Sequence, residues 1–176
     1  MCRIIRCALS LLLITLVITI NAQEEDRGYI LKVGDKIPDS VILRLTDGSV
    51  VNVNKLRGKV VLLQFTASWC SVCIKEMPHL ENEIWQVYKN KGLVFIGIDR
   101  DEPLKKVKNF QKKLSITYPL ALDPGAKIFA KFAHKEAGVT RNVLIGRDGT
   151  IIFLTRLYDD AEFNALKNKM AEVFSE

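Results

Sequence analysis

The most constraining feature of the sequence is an apolar run that ends just before a pair of cysteines. Residues 59–65 are Lys-Val-Val-Leu-Leu-Gln-Phe, which is typical of a strand buried on both faces of a sheet. After Cys70-Ser71-Val72-Cys73 the apolar residues recur at steps of three and four, which indicates a helix. The sequence therefore predicts that both cysteines lie at a strand-to-helix junction.

This position has chemical consequences for the two thiols. The free amide groups and the dipole of a first helical turn favour negative charge, so we expect the pKa of Cys70 to fall below the ordinary value of about 8.5. Two intervening residues allow Cys73 to reach Cys70. Cys70 can then attack the disulfide of a partner, and Cys73 can resolve the mixed disulfide that results.

Two cysteines at this spacing also occur in zinc sites, which is the alternative interpretation. A zinc site needs a second pair of ligands. The only histidines of the chain, His79 and His134, stand apart and neither has a partner at ligand spacing. We therefore predict a redox pair, with no bound metal and no cofactor.

The segment from Phe65 to Pro78, F-T-A-S-W-C-S-V-C-I-K-E-M-P, resembles the active-site segment of the thioredoxin superfamily, and in particular of its exported TlpA/ResA-like branch. The resemblance covers most of the chain after residue 30. It implies an α/β, thioredoxin-like fold in which helices flank both faces of a central mixed sheet and an N-terminal β-hairpin is added. It also implies a thiol-disulfide oxidoreductase with Cys70 and Cys73 as catalytic residues.

Two neighbours of the cysteines are candidates for supporting roles. Trp69 can shield the thiolate or offer an apolar docking surface, and the alternative is a residue of the core. Glu76 lies three residues after Cys73, on the same side of a helix. The resemblance implies that Glu76 accepts the proton of Cys73, and the alternative is a solvated carboxylate.

Thr140 departs from the superfamily pattern, because it falls where a cis-proline usually faces the cysteines. A cis bond before a residue other than proline costs about 2.5–4 kcal/mol, so we expect a trans Val139-Thr140 bond. We still expect the Thr140 hydroxyl to face the cysteines. Arg141 either adds positive charge near the thiolate or is a solvated loop residue. Gln64 stands where thioredoxins proper have a buried acid, so we do not expect that acid's proton relay.

Periodicity and turn residues predict the remaining elements, and their order predicts a mixed sheet with helices on both faces. We expect a closing helix that is capped by Asp159 or Asp160. The other expected elements are a hairpin at 41–45 and 50–53, a bent helix from the cysteines to about residue 90, a strand at 93–99, a helix at 102–114, a short helix at 126–133 and a hairpin at 142–145 and 150–154.

The N-terminal residues predict export. Arg3 and Arg6 precede an apolar run from Ala8 to Ile20, which is shorter than the roughly 20 residues of a membrane span. Ala22 then ends a suitable cleavage site, and the alternative is an uncleaved membrane anchor. Cleavage would leave the protein periplasmic or otherwise extracytoplasmic. The predicted divisions are a signal peptide at 1–22, a flexible lead at 23–33 and a thioredoxin-like domain at 34–176.

The predicted mature chain retains two cysteines, and both belong to the motif. An exported chain with no other thiols cannot use disulfides as a structural framework, which favours a functional pair. The formal net charge is +6, and loss of Arg3 and Arg6 leaves +4. The lysines between Lys105 and Lys113 alternate with apolar residues at helical spacing, which predicts a solvated helix face and no nucleic-acid partner.

The leading interpretation is an exported protein-disulfide reductase that works through a mixed disulfide on disulfide-bearing protein substrates. The resemblance implies cytochrome c precursors or misoxidised proteins as substrates, and a membrane thiol carrier as the electron donor. Oxidant and isomerase activities remain open at this point.

Two other classes of protein match the sequence less well. A peroxiredoxin-like peroxidase would need a proline and a threonine or serine before its cysteine, where this chain has Leu63 and Ala67. A copper-binding assembly protein of the same fold would be expected to have three residues between its cysteines and a downstream histidine. Here the cysteines are one residue closer and only His134 is available.

Overall fold

The structure, a computed structural model, describes residues 27–175, so the predicted signal peptide lies outside the described residues. Its strands and α-helices are β1 (Ile42–Leu45), β2 (Val50–Asn52), β3 (Val61–Thr66), α1 (Ser71–His79), α2 (Gln86–Tyr88), β4 (Val94–Arg100), α3 (Leu104–Lys113), β5 (Leu120–Asp123), β6 (Arg141–Ile145), β7 (Ile151–Arg156) and α4 (Asp160–Ser175).

The strands form one mixed sheet in the order β2-β1-β5-β4-β3-β6-β7. The central strands β3, β4 and β5 are parallel, and the hairpins β1-β2 and β6-β7 add antiparallel strands at the two sides. Helices cover both faces, because strand residues that alternate in direction pack into two separate cores. The predicted thioredoxin-like architecture, including the N-terminal hairpin, is confirmed.

Strand β5 is absent from the predicted order. Its three apolar residues, Leu120 to Leu122, are too few to distinguish a buried strand from other apolar runs. In the structure β5 pairs with β4 on one side and with β1 on the other, so it joins the hairpin to the central strands.

The predicted helix at 126–133 is wrong. Two separate 3-10 turns, Pro124–Ala126 and Phe129–Lys131, take its place. The carboxylate of Asp123 accepts hydrogen bonds from the backbone N–H groups of Ile128 (2.7 Å) and Phe129 (2.8 Å). These bonds hold the chain against the end of β5. They also satisfy two amide groups that would otherwise donate to carbonyl groups of a regular helix.

The helix behind the cysteines departs from regular α-helical structure directly after Pro78, where the sequence predicts a bend. Pro78 lies inside α1 and has no N–H to donate to the preceding turn, and a π-helical turn at Leu80–Trp85 follows directly. Helical structure continues through α2 to Lys91, where Gly92 ends it with a φ of 94°. A left-handed residue after the last turn favours glycine, which explains the position of the helix end.

The described part of the predicted flexible lead, residues 27–33, packs on the domain. The Tyr29 ring is buried, and its hydroxyl donates to the carbonyl of Thr155 at 2.6 Å. The guanidinium of Arg141 lies 4.7 Å from the centre of that ring and donates to the carbonyl of Arg27 at 2.8 Å. Arg141 is only 1% exposed, so the expectation of a solvated loop residue is wrong.

Candidate active site

The two cysteines lie at the junction that the sequence predicts. Cys70 follows the carboxyl end of β3 and is the N-cap of α1, with extended backbone angles. Its sulfur accepts a hydrogen bond from the backbone N–H of Cys73 at 3.2 Å. The first turn of α1 therefore directs a donor at the Cys70 sulfur, where it would stabilise a thiolate.

The structure holds the pair in the oxidised state, as a disulfide with a Cα–Cα distance of 5.3 Å. The two sulfurs differ in accessibility. Cys70 is half-buried, whereas Cys73 is fully buried. A partner protein can therefore approach Cys70 but not Cys73.

Thr140 faces both cysteines. Its Oγ1 lies 3.1 Å from the Sγ of Cys70 and 3.1 Å from the Sγ of Cys73. Residues 27–175 contain no cis peptide bond. The expected trans Val139-Thr140 bond and the expected direction of the hydroxyl are both confirmed.

Helix α1 contacts strand β6 and the residue directly before it through two pairs of polar side chains. Cys73 faces Thr140, and one helical turn further Glu76 faces Asn142, whose Nδ2 donates to Glu76 Oε1 at 2.6 Å. Glu76 is 2% exposed, so the expectation of a solvated carboxylate is excluded. The three-residue step on the helix thus places a buried carboxyl group one helical turn from Cys73.

Burial raises the pKa of Glu76 from 4.5 to about 7, although hydrogen bonds from Asn142 and Gln64 oppose that rise. Gln64 Nε2 lies 3.3 Å from Glu76 Oε2. A carboxyl group with a pKa in this range can both accept and release a proton near neutral pH.

Sequence reasoning missed Asn142 and Tyr118 as part of this environment. The Tyr118 hydroxyl donates to Gln64 Oε1 at 2.8 Å, so a buried chain of polar side chains leads to Glu76. A signal was present in the sequence, because Gln64 and Asn142 are polar residues within apolar strands, and buried polar groups need partners.

The loop before Cys70 is held in place by Glu102, which lies just before the start of α3. The carboxylate of Glu102 accepts hydrogen bonds from Ser68 N at 2.6 Å and Ser68 Oγ at 2.8 Å, and it forms a salt bridge with Lys106. Burial alone would raise the pKa of Glu102, but the bonds from Lys106 and Ser68 hold it below its ordinary value. Beneath this loop Asp99 is fully buried, and burial together with the charge of Glu102 raises the pKa of Asp99 to about 8.

Trp69 is exposed beside Cys70, with 61% of its surface accessible, so it is not a core residue. It lines a surface cleft together with Val139, the residue before Thr140. Arg100 shapes this cleft, because its guanidinium donates to the carbonyl of Ala137 at 3.2 Å and packs on the Phe129 ring. Trp69 and Val139, which directly precede Cys70 and Thr140 in the sequence, both line this cleft.

The described residues contain neither a candidate metal site nor a candidate membrane span. Between residues 27 and 175, no three His, Cys, Asp or Glu side chains converge in a way that could hold a metal ion. No helix in that range is both long and apolar enough to cross a membrane.

A model of the redoxin family matches residues 32–170. The chain belongs to the redoxin family. This redoxin is similar to the thiol-disulfide oxidoreductase ResA of Bacillus cereus, with 35% identity over 122 residues that cover 69% of this chain and 68% of the relative. It is also similar to ResA of Geobacillus thermodenitrificans, with 33% identity over 81% of this chain and 80% of the relative.

A solution structure from Bacteroides thetaiotaomicron, described as a candidate protein disulfide isomerase, matches the redoxin with a TM-score of 0.81. The two sequences are 55% identical, and the match covers 85% of this chain and 94% of the other. The resemblance to the TlpA/ResA-like branch and the thioredoxin-like fold are thus confirmed. This redoxin is a thiol-disulfide oxidoreductase.

Two buried acids predict how the stability of the oxidised protein depends on pH. Burial raises the pKa of Glu76 from 4.5 to about 7 and that of Asp99 from 3.8 to about 8. From about pH 5 to about pH 8 the folded protein therefore keeps protons that the unfolded chain has released, and the free energy of unfolding falls as pH rises.

Urea unfolding of the oxidised protein across that range measures this slope. We expect Asp99→Asn to make it shallower, whereas Asp39→Asn, which changes an exposed aspartate, should leave it unchanged. A slope that is equally steep in the Asp99→Asn variant would contradict a protonated Asp99 in the folded protein.

Proposed function

We propose that this redoxin is an exported protein-disulfide reductase. The Cys70 thiolate attacks one sulfur of a substrate disulfide, so that a mixed disulfide forms and the first substrate thiolate leaves. Cys73, as a thiolate, then attacks the Cys70 sulfur, which forms the Cys70–Cys73 disulfide and releases the second substrate thiolate. Two electrons pass from the redoxin to the substrate, and both substrate thiolates take protons from their surroundings.

The single observation that carries this proposal is the unequal environment of the two sulfurs. Cys70 is accessible and accepts the N–H of Cys73, as an attacking thiolate requires, whereas Cys73 is buried on the inner side of α1 against Thr140. A buried sulfur cannot meet a folded substrate directly, but it lies within reach of Cys70 once the mixed disulfide has formed.

The neighbouring residues have roles in the same scheme. Glu76 accepts the proton of Cys73 before resolution, because its carboxyl group is one turn away and its pKa is raised by burial to about 7. Thr140 donates its hydroxyl to the thiolate of either cysteine, since it lies at the same distance from both sulfurs. Trp69 offers an apolar docking surface beside Cys70.

The cellular setting belongs to the same proposal. A signal peptide at 1–22 directs the protein to an extracytoplasmic compartment, where residues 34–176 act as the catalytic domain. The substrates are disulfide-bearing proteins, with cytochrome c precursors among the candidates. A membrane thiol carrier returns the Cys70–Cys73 disulfide to the dithiol, because each turnover consumes two electrons.

Replacement of one cysteine at a time tests the two roles. In Cys73→Ala the mixed disulfide cannot be resolved, so we expect covalent adducts with substrates that are at least about tenfold more abundant than in Cys70→Ala. Non-reducing electrophoresis followed by mass spectrometry measures the adducts and names the substrates. Adducts that accumulate in Cys70→Ala instead would reverse the assignment.

The reduction potential tests the direction of electron transfer. We expect a value nearer the roughly −270 mV of thioredoxin than the roughly −120 mV of a strong oxidant, measured by equilibration with glutathione or dithiothreitol buffers. The relative of 55% identity favours isomerase as the second candidate. A value close to the roughly −180 mV of protein disulfide isomerase would support that candidate, and a value near the oxidant's would exclude a reductase.

The Thr140 hydroxyl predicts a change in thiol acidity. Thr140→Val removes a donor that lies 3.1 Å from both sulfurs, so we expect the pKa of Cys70 in the reduced protein to rise by about one unit. The pH dependence of iodoacetamide alkylation measures this pKa. Thr140→Ser keeps the hydroxyl and should preserve the original value, and the same pKa in all three proteins would show that the hydroxyl does not act on the thiolate.

A further inference from the structure

Hydrogen bonds connect three fully buried polar side chains in the order Tyr118, Gln64, Glu76. The Tyr118 hydroxyl lies 2.8 Å from Gln64 Oε1, and Gln64 Nε2 lies 3.3 Å from Glu76 Oε2. Tyr118 and Gln64 are 0% exposed, and Glu76 is 2% exposed. Water does not reach these groups from the surface, so their mutual hydrogen bonds decide how each one is oriented.

A glutamine amide has a carbonyl oxygen that accepts hydrogen bonds and an NH2 group that donates them. The orientation of the amide therefore decides whether a neighbouring group faces the acceptor or the donor. Burial raises the pKa of Tyr118 well above its ordinary value, and its hydroxyl therefore remains a donor. Among residues 27–175, Gln64 is the only acceptor that this hydroxyl contacts. Rotation of the amide by half a turn would leave the Tyr118 hydroxyl without an acceptor, which is costly in a buried site.

We propose that Tyr118 is a positioning residue, which fixes the Gln64 amide so that its N–H group faces the carboxylate of Glu76. The proposal deepens the function proposed above and rests on it, because it concerns the proton acceptor of Cys73. Through Gln64, a tyrosine that touches neither sulfur stabilises the ionised form of Glu76.

The packing around Tyr118 supports a fixed orientation. Its ring stacks on the Phe95 ring, with centres 4.1 Å apart and planes 9° from parallel. Gly97 on β4 leaves space for the Leu120 side chain and the Tyr118 ring, because a Cβ there would clash with Leu120 and would lie 3.2 Å from the Tyr118 ring and 3.4 Å from Gln64 Oε1. The absence of a side chain in the middle of a central strand thus has a structural reason.

Asn142 is the second donor to Glu76 and does not depend on Tyr118. Its Nδ2 contacts Glu76 Oε1 at 2.6 Å and Thr155 Oγ1 at 2.8 Å. Because Asn142 remains in place when the tyrosine hydroxyl is removed, the expected change in Glu76 is a partial one. The titratable groups that face or electrostatically influence Glu76 are Cys73 on α1, Tyr118 before β5, Tyr29 of the N-terminal segment, Tyr158 after β7 and Glu162 on α4.

The test is Tyr118→Phe, which keeps the stacked ring and removes only the hydroxyl. We expect the pKa of Glu76 in the oxidised protein to rise by about half a unit to one unit, because the freed amide can present its oxygen to the carboxyl group and favour the protonated form. Carbon-13 NMR of glutamate-labelled protein measures this pKa directly. Tyr88→Phe, which changes another buried tyrosine, is the matched control and should leave the pKa unchanged.

A second variant shows whether Tyr118 acts through Gln64. Gln64→Met removes the amide at similar volume, and with it a donor to the carboxylate, so it should also raise the pKa of Glu76. The double variant should then equal Gln64→Met alone, because the tyrosine has lost the group it positions. An unchanged pKa in Tyr118→Phe, or two shifts that add in the double variant, would overturn the inference.

The pH profile of mixed-disulfide resolution separates this inference from the proposed function. If Glu76 is the proton acceptor, Glu76→Gln removes a limb of that profile and Tyr118→Phe moves the same limb to higher pH. If Glu76→Gln leaves the profile intact while the NMR shift is observed, the proposed role of Glu76 fails and the positioning by Tyr118 stands. If the profile responds to Glu76→Gln but neither it nor the NMR pKa responds to Tyr118→Phe, only the positioning fails.

Discussion

The polar network beneath the cysteines of this redoxin depends on one contact, the burial of the Glu76 carboxyl group between α1 and β6. Burial makes the ionised form costly, and the amide donors of Asn142 and Gln64 recover part of that cost. The balance leaves a group that changes its charge near neutral pH, one helical turn from the buried cysteine. A fully exposed carboxyl group would be ionised throughout, and one without donors would remain protonated.

The fold provides that contact through its central strands. Strand β3 leads to Cys70 at the amino end of α1, and two residues contact α1 from its neighbour β6: Asn142 within the strand and Thr140 directly before it. Residues two apart along an extended chain face the same side of the sheet, and residues three apart along α1 face the same side of the helix, so both polar pairs lie where α1 and β6 meet. The π-helical turn after α1 begins beyond Glu76, so the first turns of α1 hold both Cys73 and the carboxyl group.

Local features of the site were predictable, whereas features that depend on distant partners were not. The strand-to-helix junction, the trans bond before Thr140 and the direction of its hydroxyl follow from motifs and from the cost of a cis bond. The burial of Arg141 against Tyr29 could not be predicted, because the two residues are far apart in sequence and the tyrosine belongs to a segment of mixed composition. The contact between Tyr118 and Gln64 could not be predicted for the same reason, because it spans 54 positions. Strand β5 could not be predicted because its apolar run is short.

The closeness of Glu76 and Cys73 also means that their titrations in the reduced protein are coupled. The carboxylate and the thiolate carry like charges on one helix face in a site from which water is excluded, so ionisation of either group raises the pKa of the other. In the oxidised protein Cys73 carries no charge, and the pKa of Glu76 reflects burial, its amide donors and the charge of Glu162. In the proposed mechanism a Cys73 thiolate therefore favours a protonated Glu76, and attack by Cys73 on the mixed disulfide removes the charge that kept the proton in place. The proton that Glu76 takes from Cys73 before resolution is then released once the disulfide has closed, so the proposal ties proton movement at Glu76 to each transfer of electrons.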